Sequence, residues 1–504
     1  MDAVIRLHPI DEATRYNLGM PEPAPSTFPN FEAPVPIRLP DPSWLTKGRR
    51  VAEILTRMTT RVAPAMVRQV TRRDGGESGL PHALRAGFED LGATYVKLGQ
   101  LIGSAPDLAG EAMAAEFRGC MDSGPAIPMA DVRRTIEADL GQPLERTFTT
   151  FDPEPLAAAS LAAVHRAVLP DGRPVAVKVL RPGIADAIAA DLSVLGGVGR
   201  LLLTIGNDSA MDVLGYVVGL REQVSEELDL RNEARSMTQF RQRFAELGLT
   251  GIVVPEVFSE QSGRHVLTME LLDGIPIDDL SRIDEYGADD PGTLVRELLR
   301  AWLLSAIHFR AFHADIHAGN LLLLRDGRLG LIDWGIIARL DEDTYQLLRG
   351  LVEAALGRDE AWDEVAAYVI KTQGANLKDG LGLTDDQVRE LVKGMFEPVL
   401  TQPAGEVSMA SLFVSSAAAY EMATGEQLPR RSLSERVALW RKTRKSRYLM
   451  LENGVLEHPI QRAGFLAAKQ LVYLERYWKM YLPSEPLMGD RPFLEKLLAE
   501  APTS

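Results

Sequence analysis

A single cysteine, Cys120, stands among 504 residues, which excludes an internal disulfide framework and any metal site built from several thiolates. Positive charge is in deficit, with 55 Lys and Arg against 70 Asp and Glu. The resulting net charge of −15 argues against a nucleic-acid binder, because a polyphosphate partner needs clustered cations. Long apolar runs are missing too. No stretch reaches the roughly 18 uninterrupted apolar residues that suggest a membrane-crossing helix. The nearest, LSVLGGVGRLLLTIG at 192–206, is short, glycine-rich and broken by Arg200. The opening residues, MDAVIRLHPIDEATRYN, lack the charged start and apolar core of a secretory signal. A cytoplasmic chain without a membrane span is the expectation.

What is present is ordinary globular material, 46% hydrophobic and 25% charged, in a chain long enough for two or three domains. Proline concentrates in residues 1–45, which predicts an extended or disordered arm. Residues 46–145 carry apolar positions at helical spacing. The texture then changes. LAAVHRAV, LPDGR and PVAVKVL read as strand, turn and strand, a hairpin at 161–180. A helical stretch runs from about 184 to 248, and GIVVPEVFSE and RHVLTMELL read as two further strands. From 290 onward the chain is mainly helical, interrupted by NLLLLRDGRLGLID, a second hairpin with Asp326-Gly327 at its turn. The pattern predicts an α+β chain: a helical extension over 46–145, a small sheet-bearing lobe over 146–275 and a larger helical lobe over 276–504.

Histidine is scarce, eight in all, yet two flank Asp315 in HADIHAGN, residues 313–320. Asp315 and Asn320 have the spacing D-x-x-x-x-N, and the second hairpin would bring Asn320 close to Asp333 of the IDWG that follows. An Asn and an Asp side by side offer hard oxygen ligands to Mg²⁺, and Asp315 can orient or deprotonate an attacking hydroxyl. A metal pair formed by His313 and His317 is the less favoured alternative, because Gly319 and the strand after it argue for a loop rather than a helix. Upstream, Lys178 sits inside the apolar strand VAVKVL and needs a carboxylate partner. EELDLRNEARSMTQF supplies Glu227, Asp229 and Glu233, the last two four residues apart on one predicted helical face. Before Lys178 there is no glycine-rich phosphate loop. Ala158, Ala159 and Ser160 stand there instead; alanine keeps its N–H but its Cβ limits positive φ.

With these residues together, the sequence resembles the UbiB/AarF family of atypical protein-kinase-like proteins from about residue 88 to 345. The resemblance is carried by YVKLGQ (95–100), APDL (105–108), MDSGP (121–125), AAAS (157–160), VAVKVLRPGI (175–184), EELDLRNEA (226–234), HADIHAGN and LIDWG. It implies a bilobal protein-kinase-like fold with an N-terminal helical extension. It implies that Lys178 pairs with Glu233, that Asp315 holds the catalytic-loop position, and that Asn320 and Asp333 bind Mg²⁺. The implied nucleotide, ATP or ADP, is bound by Ala158, Ala159, Ser160, Lys178 and Glu270. Lys97 and Gln100 would fold over the site, meet Glu227 and Asp229 and obstruct the groove a protein substrate would use.

The implied activity is a Mg²⁺-dependent ATPase or phosphotransferase of lipid or isoprenoid-quinone metabolism. A lipid, a quinone precursor or the inner membrane surface is the implied partner. HADIHAGN with IDWG also suits a small-molecule phosphotransferase of the aminoglycoside-kinase type, and a non-catalytic, nucleotide-gated lipid-binding scaffold is the third reading. The chain departs from the family pattern at Ile316 and Ala318, where the family more often has Pro, and at Trp334, where it has Phe. Near the C-terminus Tyr473, Tyr477 and Tyr481 recur every four residues beside Leu474 and Trp478, which predicts a helix packed on its own domain. An interfacial helix, aided by the basic run RKTRKSR at 441–447, is the alternative.

Overall fold

The computed structural model describes residues 31–71, 79–104, 111–117, 119–120, 124, 126–204, 210–286, 290–374, 377–378, 381–412, 416–427 and 462–501. APDL, most of MDSGP, the basic run at 441–447 and the first thirty residues of the proline-rich arm lie outside the described residues. Helices α1 (Trp44–Thr71), α2 (Leu80–Leu91), α3 (Ala93–Ser104) and α4 (Glu111–Phe117) form the N-terminal extension. α5 (Met129–Leu140) and the single turn α6 (Leu144–Thr147) lead into β1 (Thr150–Ala158), β2 (Ala162–Val168) and β3 (Pro174–Leu180). Next come α7 (Ile184–Thr204), α8 (Ala210–Glu227), α9 (Leu230–Glu246), β4 (Ile252–Val253), β5 (Val266–Glu270) and β6 (Gly274–Pro276).

The second half opens with α10 (Pro291–Phe309), β7 (Ala311–His313), β8 (Leu321–Leu324), β9 (Leu329–Leu331) and β10 (Ile337–Arg339). It closes with α11 (Glu342–Ala355), α12 (Ala361–Gly374), α13 (Asp385–Thr401), α14 (Ser416–Thr424), α15 (Arg462–Tyr481) and α16 (Arg491–Ala499). Small, mainly antiparallel sheets beside a large helical body make this the bilobal, kinase-like α+β arrangement.

The first sheet has the order β1-β2-β3-β5, all antiparallel. Strand alternation divides β3 between two cores. Val175, Val177 and Val179 face outward-lying α5 through Val132 and Ile136, while Ala176 and Leu180 join Leu230, Met237 and Phe240 of α9 in the main core. Lys178 lies between Ala176 and Leu180 on that second face, so the strand's own period aims it at the cleft. The second sheet, β4-β9-β8-β6, contains one parallel pair, β4 with β9. The segment GIVVPEVFSE therefore contributes its strand β4 to this sheet, while Val257 further along bridges antiparallel to Met269 at the edge of the first.

Both hairpins turn on the same tripeptide. Asp171 and Asp326 each accept the N–H of the Arg two residues on, and Gly172 and Gly327 take φ of +88° and +77°. A three-residue loop ending in a left-handed residue suits the strand twist, and glycine adopts that conformation without steric cost.

Residues 31–43 form neither helix nor strand, as their prolines predict, but they lie against the folded body. Asn232 of α9 holds the Val35 peptide at both ends, at 2.9 and 3.0 Å, and Leu39 is buried against Ile188 and Leu228. The extension is tied down by a buried ion pair: Arg50 of α1 meets Asp191 of α7 at 2.5 Å. Among the described residues no helix is long and apolar enough to cross a membrane.

Candidate active site

Lys178 is the centre of the site. Its Nζ lies 2.9 Å from both carboxylate oxygens of Glu233 and 3.1 Å from Asp333 Oδ2. Burial works against the lysine charge, yet Asp333 and Glu233 outweigh it and hold the amine above its ordinary pKa. Burial likewise opposes the charge on Asp333, but Lys178 and the Gly335 N–H keep its carboxyl well below the usual carboxylate range. Glu233 is pushed up by burial, to about 7, against the pull of Lys178. The Trp334 N–H also reaches Glu233, at 3.2 Å, so α9 and the IDWG segment share one carboxylate. The space at the next position is tight: a Cβ on Gly335 would sit 3.2 Å from Asp333 Oδ1, so that carboxylate would have to shift slightly.

The HADIHAGN segment begins at the end of β7 and closes in a 3₁₀ turn before β8. His313 ties it to IDWG. Its Nδ1 accepts the Asp315 N–H at 3.1 Å, so Nε2 carries the proton and donates to the Asp333 carbonyl. Burial lowers the pKa of this imidazole, in keeping with a neutral ring. Asn320 donates from Nδ2 to the Asp315 carbonyl at 3.0 Å, leaving its amide oxygen as the end it can offer to a cation. The Asn320 carbonyl accepts the Ile332 N–H at 3.1 Å, which sets Asn320 beside the residue before Asp333. The His313/His317 metal pair is not formed. Both ring nitrogens of His313 are engaged, and His317 Nδ1 accepts the Gly319 N–H at 3.0 Å.

Asp315 has a partner that the reading of the sequence did not anticipate. Lys469 of α15 places Nζ 2.8 Å from Asp315 Oδ1. Burial opposes the charge on Asp315, but Lys469 and His317 leave its pKa below the ordinary value. The neighbouring Gln470, fully buried, donates to the Ala314 carbonyl and accepts the Ile316 N–H at 2.9 Å, and Tyr477 Oη donates to the Ile316 carbonyl at 3.0 Å. A proline at 316 could not make the Gln470 bond, since it has no N–H. The only sequence signal for this clamp is a Lys-Gln pair interrupting the apolar run FLAAKQLVYL. Trp334 also has a structural account. It is fully buried, donates Nε1–H to Leu331, and packs on Phe240 with ring centroids 4.8 Å apart.

The extension reaches the site through Lys97 of α3, 2.8 Å from Glu227 Oε2, with both side chains largely shielded. Gln100, three residues further along α3, is half-buried. Asp229 does not join this contact. Its side chain accepts the Arg231 N–H at 3.1 Å as the N-cap of α9 and pairs with the Arg231 guanidinium at 2.6 Å. It thus stands outside the helix and shares no helical face with Glu233. A cap must leave helical φ and ψ for its side chain to fold back on the first turn.

The alanine-rich turn is tighter than its sequence implies. The Ala159 N–H is taken by the Ala162 carbonyl at 2.9 Å, so it is not free for a phosphate. The Ala159 carbonyl accepts Arg181, and the Ala158 carbonyl accepts the Gly124 N–H. Ser160 is buried at the end of the same turn. Glu270 ends β5 and accepts the Glu256 N–H at 3.1 Å, with Arg241 3.5 Å away.

A family model described as an ABC1 atypical kinase-like domain matches residues 120–366. An uncharacterized chloroplastic aarF domain-containing protein kinase of Arabidopsis thaliana is 33% identical over 419 residues, covering 82% of this chain and 74% of that protein. The chain belongs to the UbiB/AarF family. An uncharacterized Mycobacterium tuberculosis protein is 33% identical over 436 residues, 86% of this chain and 80% of its own length. A probable protein kinase UbiB of Cellvibrio japonicus is 32% identical over 357 residues, 68% of this chain and 62% of that protein. The ABC1 domain match ends at residue 366, about a hundred residues before Lys469 and Gln470, while the matches to the Arabidopsis and Mycobacterium relatives, over 419 and 436 residues, run beyond it.

Proposed function

We propose that the protein is a Mg²⁺-dependent phosphotransferase or ATPase that uses ATP and acts in lipid or isoprenoid-quinone metabolism. The observation that carries this reading is the meeting of Lys178 with Glu233 and Asp333 at one point, with Asp315 and Asn320 bonded to the same loop system. A lysine anchored by a buried glutamate is arranged to contact nucleotide phosphates. The donor set fits a hard cation: Asn320 and Asp333 supply amide and carboxylate oxygens, and they would hold Mg²⁺. When bound, Mg²⁺ supplies neutralisation of the phosphate charge. Asp315 orients the attacking hydroxyl or water, and His313 fixes the loop in a neutral, doubly bonded state. Ser160, Ala158 and Glu270 line the nucleotide side, and Lys97 with Gln100 close it against a bulky protein substrate.

A small-molecule phosphotransferase of the aminoglycoside-kinase type would use the same loops. The shielded Lys97–Glu227 contact and the tight alanine-rich turn are additional to that chemistry and favour the first reading.

A thermal-shift series tests it. Mg·ADP should raise the melting temperature of the wild type, since a ligand at ~100 times its Kd adds about 2.7 kcal/mol, and should not raise that of Asp333→Asn. A wild type that does not shift removes the reading. Phosphate release measured with and without lipid vesicles then separates an enzyme from a nucleotide-gated scaffold, which would shift but release nothing.

A further inference from the structure

The span from Asp315 to Asn320 contains no lysine or arginine, and Lys178 is fully committed to two other carboxylates. Asp315 nevertheless has a permanent cation at its side. We propose that Lys469 is a positioning residue for phosphoryl transfer, supplied to Asp315 by α15 from beyond the segment that the ABC1 domain model matches. This rests on the phosphotransferase reading above.

Lys469 is held where it is needed. Gln470 and Tyr477 fasten α15 to Ala314 and Ile316, the residues on either side of Asp315, so the helix is bonded to the loop on both sides of that carboxylate. The ammonium also lies over the Tyr473 ring, 5.7 Å from its centroid. The Lys469 and Asp315 side chains are each 20% exposed: shielded enough for a strong ion pair, open enough to meet a substrate. Lys479 on the same helix is different. It pairs with Glu475 one turn away and is 37% exposed, an ordinary surface contact.

The pairing also divides the two oxygens of Asp315. Lys469 holds Oδ1 at 2.8 Å, while the His317 Nε2 lies 3.7 Å from Oδ2, too long for a hydrogen bond. Oδ2 is therefore the oxygen left to receive a proton. In the transfer step the acceptor oxygen bonds to the γ-phosphorus as the bond from that phosphorus to the β–γ bridging oxygen breaks. The acceptor proton passes to Asp315 Oδ2 and ADP leaves. A carboxylate fixed by one oxygen is aimed by the other, and misplacing such a group by about 1 Å can cost ~100-fold in rate.

The test compares Lys469→Gln, Lys469→Arg and the surface control Lys479→Gln by ATP turnover and by the Mg·ADP thermal shift. Lys469→Gln should lower kcat by roughly tenfold to a hundredfold while KM for ATP and the Mg·ADP shift stay at wild-type values. Lys469→Arg should recover most of the rate, and Lys479→Gln should match the wild type. If Lys469→Gln does not fold, Lys469→Met, which keeps the stem against Tyr473, takes its place. Unchanged kcat in the uncharged variant overturns the proposal, as does loss of the Mg·ADP shift in step with the rate, which marks a structural role only. A wild type that turns over no ATP overturns the phosphotransferase reading and this proposal with it.

Discussion

Lys178 shows how one side chain can be stabilising in company and harmful alone. With Glu233 it forms a shielded ion pair, and removing the amine leaves a buried carboxylate without its counter-charge. Lys178→Met should therefore cost about 3–5 kcal/mol in urea unfolding, whereas the double variant Lys178→Met, Glu233→Leu should recover part of that loss, the less buried Asp333 still lacking the amine. Both should lose the Mg·ADP shift. An equally unstable double variant would mean that the pair does not carry the strain. At this scale much of the site could be read without coordinates. Lys178, Asp315, Asn320 and Asp333 stood out by residue type and spacing, and the family resemblance singled out Glu233 among the acids of EELDLRNEA. Asp229 did not, because spacing alone cannot distinguish the first residue inside a helix from the cap before it.

Among elements, α9 is the piece whose position matters most, and three devices hold it. Asp229 caps it, the Asn232 amide binds the Val35 peptide, and Phe31 packs on Phe240 with centroids 4.5 Å apart. Burial raises the Asp229 pKa, but Arg231 and the cap bond outweigh this and leave it lowered. A lowered carboxyl pKa contributes stability that is complete above the unfolded value, near 3.8, and is lost as the pH falls through the folded value. Below pH 3.8 the melting temperature of the wild type should thus fall more steeply than that of Asp229→Asn, which has nothing to titrate. Parallel curves would remove the linkage. Asn232→Ala deletes both bonds to Val35 and should cost about 1–3 kcal/mol, with faster proteolysis of the N-terminal segment as the direct readout. Proline content predicted that this segment has no helix or strand. It could not predict that the segment lies across α9, because that depends on an amide nearly two hundred residues away.

Across the whole molecule, the C-terminal helices belong to the same core as the sheet-bearing lobe's cleft face. Leu474 and Tyr477 of α15 and Leu494 of α16 are buried together with Leu299 of α10 and Trp334. Leu474→Ala should cost about 2–5 kcal/mol by urea unfolding, as a fully buried leucine does when its cavity cannot collapse. It should also slow ATP turnover by loosening α15 on the catalytic loop. A loss below about 1 kcal/mol would show that α15 packs too loosely to hold Lys469.

The sequence by itself determined the local chemistry: two hairpins turning on Asp-Gly-Arg, helices at their 3.6-residue period, and the acids, amide and lysine of the cleft. Those features depend on neighbours a few residues away, so short-range spacing encodes them. The tertiary structure alone decided that Lys469 reaches Asp315 across 154 residues, that Lys97 meets Glu227, and that the Ala159 N–H is consumed within its turn. Contacts of that kind depend on how packed faces bring distant segments together, and no local pattern records them.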